Sequence, residues 1–136
     1  MQIFLEEQFT RKMLIREVVA KGNFFFIAYD GDLPVGYIRI RENNNPPELE
    51  GVQTIEIARI YTVKEYIGKG VGKLLMQTAL DLGHELSKEV AWLGVWDQNQ
   101  RAIDFYTSWG FRKFAYHDFI LGEEVQKDWL MKKELD

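Results

Sequence analysis

The sequence predicts a mixed α+β sheet protein, and three observations carry that reading. Apolar residues recur at three- and four-residue intervals in some segments and form short, strand-length runs in others. A glycine-rich turn, Gly68-Lys69-Gly70-Val71-Gly72, stands between a strand-like run and a helical one. The chain has 136 residues, 46% of them hydrophobic and 14% aromatic, a one-domain length with enough apolar material for a core. Residues 1–136 are therefore read as a single domain.

The elements follow in order. Residues 1–20 read as a helix, because Phe9, Met13 and the Ile15/Val18/Val19 group recur at helical intervals between charged positions. Gly22-Asn23 ends it, and residues 24–29 form an apolar run of strand length. Asp30-Gly31-Asp32 signals a hairpin turn, with residues 35–40 as the returning strand. Residues 41–51, with Asn43-Asn44-Asn45-Pro46-Pro47, read as a surface loop. Residues 54–63 make a third strand. After the glycine turn, Val71, Leu74, Leu75, Ala79, Leu82 and Leu86 line one face of a helix. Residues 91–96 are a buried strand. Asp97-Gln98-Asn99 then supplies cap residues for a short helix striped by Ala102, Phe105, Tyr106 and Trp109 and ended by Gly110. Residues 111–115, 117–121 and 128–133 close the sheet.

Composition excludes several chemistries. There is no cysteine, so disulfides, thiolate metal sites and a thiol nucleophile are ruled out. Two histidines, His84 and His117, are too few for a classical zinc site, and no metal is expected. Lys and Arg number 17 against 21 Asp and Glu, which argues against broad phosphate-backbone binding, so no nucleic-acid partner is expected. No apolar stretch approaches the roughly 20 residues that span a bilayer, and Met1 leads into Glu6 and Glu7 rather than a leader peptide. The expectation is a soluble, cytoplasmic protein with no membrane partner.

A strand, a glycine turn and a helix place backbone N–H groups and a positive helix end around an anion. The nucleotide P-loop fails here, because Gly72-Lys73 is followed by Leu74 and the first glycine position is Ile67. The dinucleotide fingerprint fails too, since its third small residue falls on Lys73. An anion turn flanked by Lys69 and Lys73 remains, suited to a pyrophosphate. The bland alternative is a turn needed only for close strand–helix packing.

A second segment decides between them. Residues 99–111, Asn-Gln-Arg-Ala-Ile-Asp-Phe-Tyr-Thr-Ser-Trp-Gly-Phe, resemble a signature of the GNAT superfamily of acetyl-CoA-dependent N-acetyltransferases. Residues 66–73 resemble the pyrophosphate loop of the same superfamily, about 30 residues earlier and in the expected order. Residues 92–96 and the tail from His117 through Gly122 to Lys133 look most like the PaiA-type spermidine/spermine acetyltransferases. The resemblance implies a GNAT fold, a mixed and mostly antiparallel sheet flanked by helices, with acetyl-CoA as co-substrate. Members of that superfamily begin with a strand and a helix ahead of the segment matching residues 2–19. The chain is expected to lack both. Their loop also opens on Arg or Gln, where this chain has Ile67.

The resemblance also assigns residues. Gly68, Lys69, Gly70, Val71, Gly72 and Lys73 are expected at the donor phosphates. The segment Ile60, Tyr61, Thr62 and Val63 is expected to offer backbone groups, and Asn99 to contact the amide arm or cap the helix. Tyr106 matches the tyrosine near the thioester sulfur, where a phenol can protonate the departing thiolate. Glu56, fourteen residues before Gly70, matches a strand position that carries a catalytic base in several members. By strand alternation it lies opposite Ile55 and Ile57, facing either solvent or the cleft. Without cysteine no acetyl-cysteine forms, so direct attack in a ternary complex is the expected mechanism. The acceptor expected first is a small, polyamine-like amine, and a homodimer is a partnership the resemblance allows. The rivals are a non-catalytic acyl-CoA-binding sensor, which Ile67 favours, and an enzyme acting on a protein amine.

Overall fold

A computed structural model describes residues 2–4, 12–20 and 22–135. The described strands form one eight-stranded sheet in the order β1-β2-β3-β4-β5-β6-β8-β7. β1 (Gln2–Phe4), β2 (Lys12–Ala20), β3 (Asn23–Asp30), β4 (Leu33–Glu42) and β5 (Thr54–Thr62) run as an antiparallel meander. β6 (Val90–Trp96) is parallel to β5, and α1 (Val71–Glu85) makes the crossover between them. α2 (Gln100–Ser108) then leads into the hairpin β7 (Arg112–Leu121) and β8 (Glu124–Glu134), with β8 inserted between β6 and β7.

The helix expected over residues 1–20 is corrected in its described part. Residues 12–20 are strand β2, paired residue for residue with β3 from Met13↔Asp30 to Ala20↔Asn23. Ile15, Val18 and Val19 are β-branched, which disfavours helix and suits a pleated surface. Phe9 lies outside the described residues. No α-helix stands ahead of β5 among the described residues. The closing segment also differs in detail, since residues 112–121 form a single strand with a bulge between Lys113 and Ala115.

Both helices pack on one face of the sheet. Val71, Leu74, Leu75, Met76 and Ala79 of α1, with Ile103 and Tyr106 of α2, close over Ile38, Ile40, Ile55, Ile57, Leu93 and Met131. Burying each Leu or Ile side chain contributes roughly 1.5–3 kcal/mol. Residues that alternate with these on the strands face the other way, where Leu49, Val90, Trp92 and Leu130 form a smaller cluster. The 41–53 connection covers that second cluster. Its Pro47–Leu49 segment is a single 3₁₀ turn that buries Leu49, and Asn45 Nδ2 donates to the Leu49 and Val52 carbonyls at 2.8 Å each.

Candidate functional site

β5 and β6 lie side by side for three residues. Their register runs Thr54↔Val90, Ile55↔Ala91 and Glu56↔Trp92 and then stops, although β5 continues to Thr62 and β6 to Trp96. The gap is a V with Glu56 and Trp92 at its apex. On its other edge β5 stays paired with β4, and the Val63 N–H donates to the Val35 carbonyl at 2.9 Å. Antiparallel pairing alternates the side to which successive residues turn their backbone groups. With Val63 and Tyr61 turned toward β4, Ile60 and Thr62 turn theirs into the gap. Two residues above the apex pair, β5 carries a bulge: Arg39↔Arg59 is followed by Ile40↔Ile57, leaving Ala58 unopposed.

The glycine turn closes one side of this gap. Gly68 and Gly70 have φ of +84° and +94°, left-handed values that a side chain would strain. Gly70 is the N-cap of α1, and it supplies no side-chain cap. The first intrahelical bond of α1 runs from Leu74 N–H to the Gly70 carbonyl at 3.0 Å. The N–H groups of Gly70, Val71 and Gly72 are therefore without intrahelical partners, at the positive end of the helix dipole. Such an end can hold an anion.

α2 closes the opposite side. The Asn99 side chain accepts from the Ala102 N–H at 3.2 Å, so Asn99 is the helix cap. Tyr106 is 9% exposed and packs edge-on against Phe105 and Phe111. Burial pushes its phenol above the ordinary value of 10, so it stays protonated through the neutral range.

Between these walls opens a cleft of about 620 Å³. Of the residues expected from sequence, Tyr61, Thr62, Gly68, Gly70, Gly72, Lys73, Asn99 and Tyr106 line it. Four others lie off its wall. The Val63 N–H is committed to β4, and the Val71 side chain is buried in the core at 1% exposure. Lys69 holds its ammonium 5.4 Å over the Tyr66 ring. Glu56 faces away from α1, buried, with Arg41 Nε at 2.9 Å and Asn44 Nδ2 donating at 2.8 Å. Ile60 lines the cleft as well, as do Tyr66, Ile67, Arg101, Ala102 and Phe105, which were not assigned to it. Tyr66 is pinned there by donating its hydroxyl to Asp30 at 2.6 Å. Arg101 had a legible signal in the sequence: a cation placed two residues after an Asn cap, at the positive end of a helix.

Residues 2–111 match a family model described as the acetyltransferase (GNAT) family. A protein of Lactobacillus delbrueckii subsp. lactis, described as an uncharacterized N-acetyltransferase in the pepI 3′ region, is 39% identical over 133 residues. The match covers 97% of this chain and 76% of that protein. Among solved structures, the IAA acetyltransferase from Bacillus cereus ATCC 14579 superposes with a TM-score of 0.71 at 18% identity, covering 90% of this chain and 99% of that one. A Bacillus subtilis acetyltransferase in complex with CoA gives 0.69 at 20% identity, covering 85% and 79%. At these identities the structures speak for the fold.

Proposed function

The chain belongs to the acetyltransferase (GNAT) family and is an acetyl-CoA-dependent N-acetyltransferase, and from that premise we propose that its acceptor is the primary amine of a small, polyamine-like molecule. One observation carries the site assignment. Two parallel strands part after three residue pairs beside an uncapped helix N-terminus, with a buried phenol on the wall of the same cleft.

In this reading the donor's pyrophosphate takes the N–H groups of Gly70, Val71 and Gly72, with Lys73 beside them. The pantetheine arm runs along β5, where Ile60 and Thr62 offer backbone groups and Asn99 faces them from α2. The amine nitrogen attacks the thioester carbonyl, the C–S bond breaks, and the departing thiolate takes its proton from Tyr106. A backbone donor aimed at the carbonyl oxygen stabilises the charge that develops there. Glu56 serves as base through water, because its own oxygens already accept from Arg41 and Asn44. With no cysteine in the chain, transfer is direct.

An acidic chain, 21 carboxylates against 17 basic side chains, supports a cationic acceptor. A cytoplasmic setting suits both the donor and such an acceptor. No helix among the described residues is long and apolar enough to cross a membrane, and none of their His, Asp and Glu side chains cluster in threes able to hold a metal ion. The exposed apolar row Phe119, Ile120, Leu121 and Val125 on the edge hairpin supports a homodimer, which sedimentation equilibrium reads directly. The acceptor is tested by thiol release from acetyl-CoA across a panel of spermidine, spermine, amino acids and peptide N-termini. Turnover on the polyamines above all others is expected. Turnover confined to peptides would transfer the assignment to a protein amine.

A further inference from the structure

The donor carries its negative charge at the end remote from the thioester, and the turn that receives that end opens on an exposed apolar side chain, Ile67. Resting on the acetyl-CoA reading, we infer that Arg101 is the side chain that grips a donor phosphate, supplying from α2 the cation that the glycine turn lacks at Ile67. Arg101 is the second residue of α2 and lines the same cleft as Gly70, Gly72 and Lys73. Its guanidinium is exposed and has no hydrogen-bond or ion-pair partner among the described residues.

That placement is unfavourable without a ligand. A cation in the first turn of a helix faces the positive end of the helix dipole. The nearby carboxylates do not offset it. Asp97 accepts from Tyr116 and Gln98, and Asp104 accepts from Gln100. A phosphate in the cleft reverses the sign, since the same helix end and the same guanidinium then both face an anion. The planar fork of Arg also matches two phosphate oxygens at once, which a lysine in its place does not. Five residues separate Arg101 from Tyr106, about 7.5 Å of helix rise, so the two mark different stations along one extended donor.

The test is binding, measured by calorimetry without any acceptor. CoA and its phosphate-free arm, pantetheine, are titrated into wild type, Arg101→Gln and Arg101→Lys. Arg101→Gln is expected to weaken CoA roughly 10- to 100-fold, the range for losing a charged hydrogen bond. Pantetheine is expected to bind all three proteins within about twofold, and Arg101→Lys to recover part of the CoA affinity. An Arg101→Gln protein that binds CoA within about twofold of wild type overturns the assignment. So does an equal loss for CoA and pantetheine, which would mean that the helix end rather than the charge matters. A wild-type protein that binds no CoA overturns the donor reading itself, a result separable from either.

Discussion

Gly36 is the residue through which β4 touches both β5 and the first turns of α1 beside the cleft. It sits on β4 opposite Thr62, and a Cβ added there would lie 2.6 Å from the Tyr61 carbonyl oxygen, 2.7 Å from Val71 Cγ1 and 3.3 Å from Leu75 Cδ1. Ordinary contact begins near 3.4 Å, so Gly36→Ala must displace the Tyr61 backbone or the first turn of α1 by about 0.8 Å. Overpacking of this kind costs about 1–3 kcal/mol. At roughly 4 °C per kcal/mol for a domain of this size, the melting temperature should fall by about 4–12 °C. Gly83→Ala is the internal control. There a Cβ meets the tips of Leu135 and Ile55 at 2.7 and 2.9 Å, side-chain ends that can swing aside. The change also recovers up to about 1 kcal/mol of helix propensity. Thermal melts and CoA titrations on both variants separate the cases. Gly36→Ala should lose stability and CoA affinity together, while Gly83→Ala keeps the affinity. A Gly36→Ala protein as stable as wild type with unchanged CoA binding refutes the idea that this glycine sets the spacing of the cleft.

Three further outcomes follow from the geometry. Tyr106→Phe should lower turnover by about 10²-fold or more with little change in KM for acetyl-CoA, because a positioned acid is worth that much in the chemical step. Unchanged turnover, with chemistry rate-limiting, would remove Tyr106 from the acid role. Glu56→Gln should reshape the pH–rate profile and lower stability by breaking the Arg41 and Asn44 contacts; a profile that superimposes on wild type rejects Glu56 as base. The hydrogen bond from His117 holds the Glu48 carboxyl below its ordinary 4.5. A depressed folded-state value means that this contact stabilises above pH 4.5 and fades as pH falls through the folded-state value. Urea midpoints of wild type and Glu48→Gln should therefore differ at pH 6 and converge below 4.5. Parallel curves would show the contact to be inert.

The legible part of the fold was the part where local chemistry and tertiary context agree. The glycine turn, α1 and α2 were readable because positive φ demands glycine at Gly68 and Gly70, and because a helical stripe of Leu and Ala suits only a buried helix face. β2 was misread because Met13, Ile15, Val18 and Val19 satisfy helical spacing as well as a pleat. Pairing with β3, a contact no local pattern reveals, decided it. The site residues divide on the same line. Tyr61, Thr62, Gly68, Gly70, Gly72, Lys73, Asn99 and Tyr106, read from the motifs, line the cleft wall. Val63 and Val71 fell off it because their N–H direction and side-chain burial depend on β4 and the core. Glu56 was seen as facing one of two ways. That its oxygens are taken by Arg41 and Asn44 depends on the 41–53 connection folding back over the sheet.

The position of β8 also orders events in time. β1 to β5 can pair as they emerge from the ribosome, each strand meeting its predecessor across a short connection. β6 cannot, because beyond three parallel pairs its partner is β8, whose residues are made some thirty positions later. Pairings of such separation form slowly. During that interval Leu93 and Val95 lack their β8 partners, and the core under Ile103 and Tyr106 of α2 lacks Met131. Synthesis of residues 124–134 is therefore the step that completes the cleft, and a nascent chain halted before Glu124 carries a formed meander beside an unfinished site.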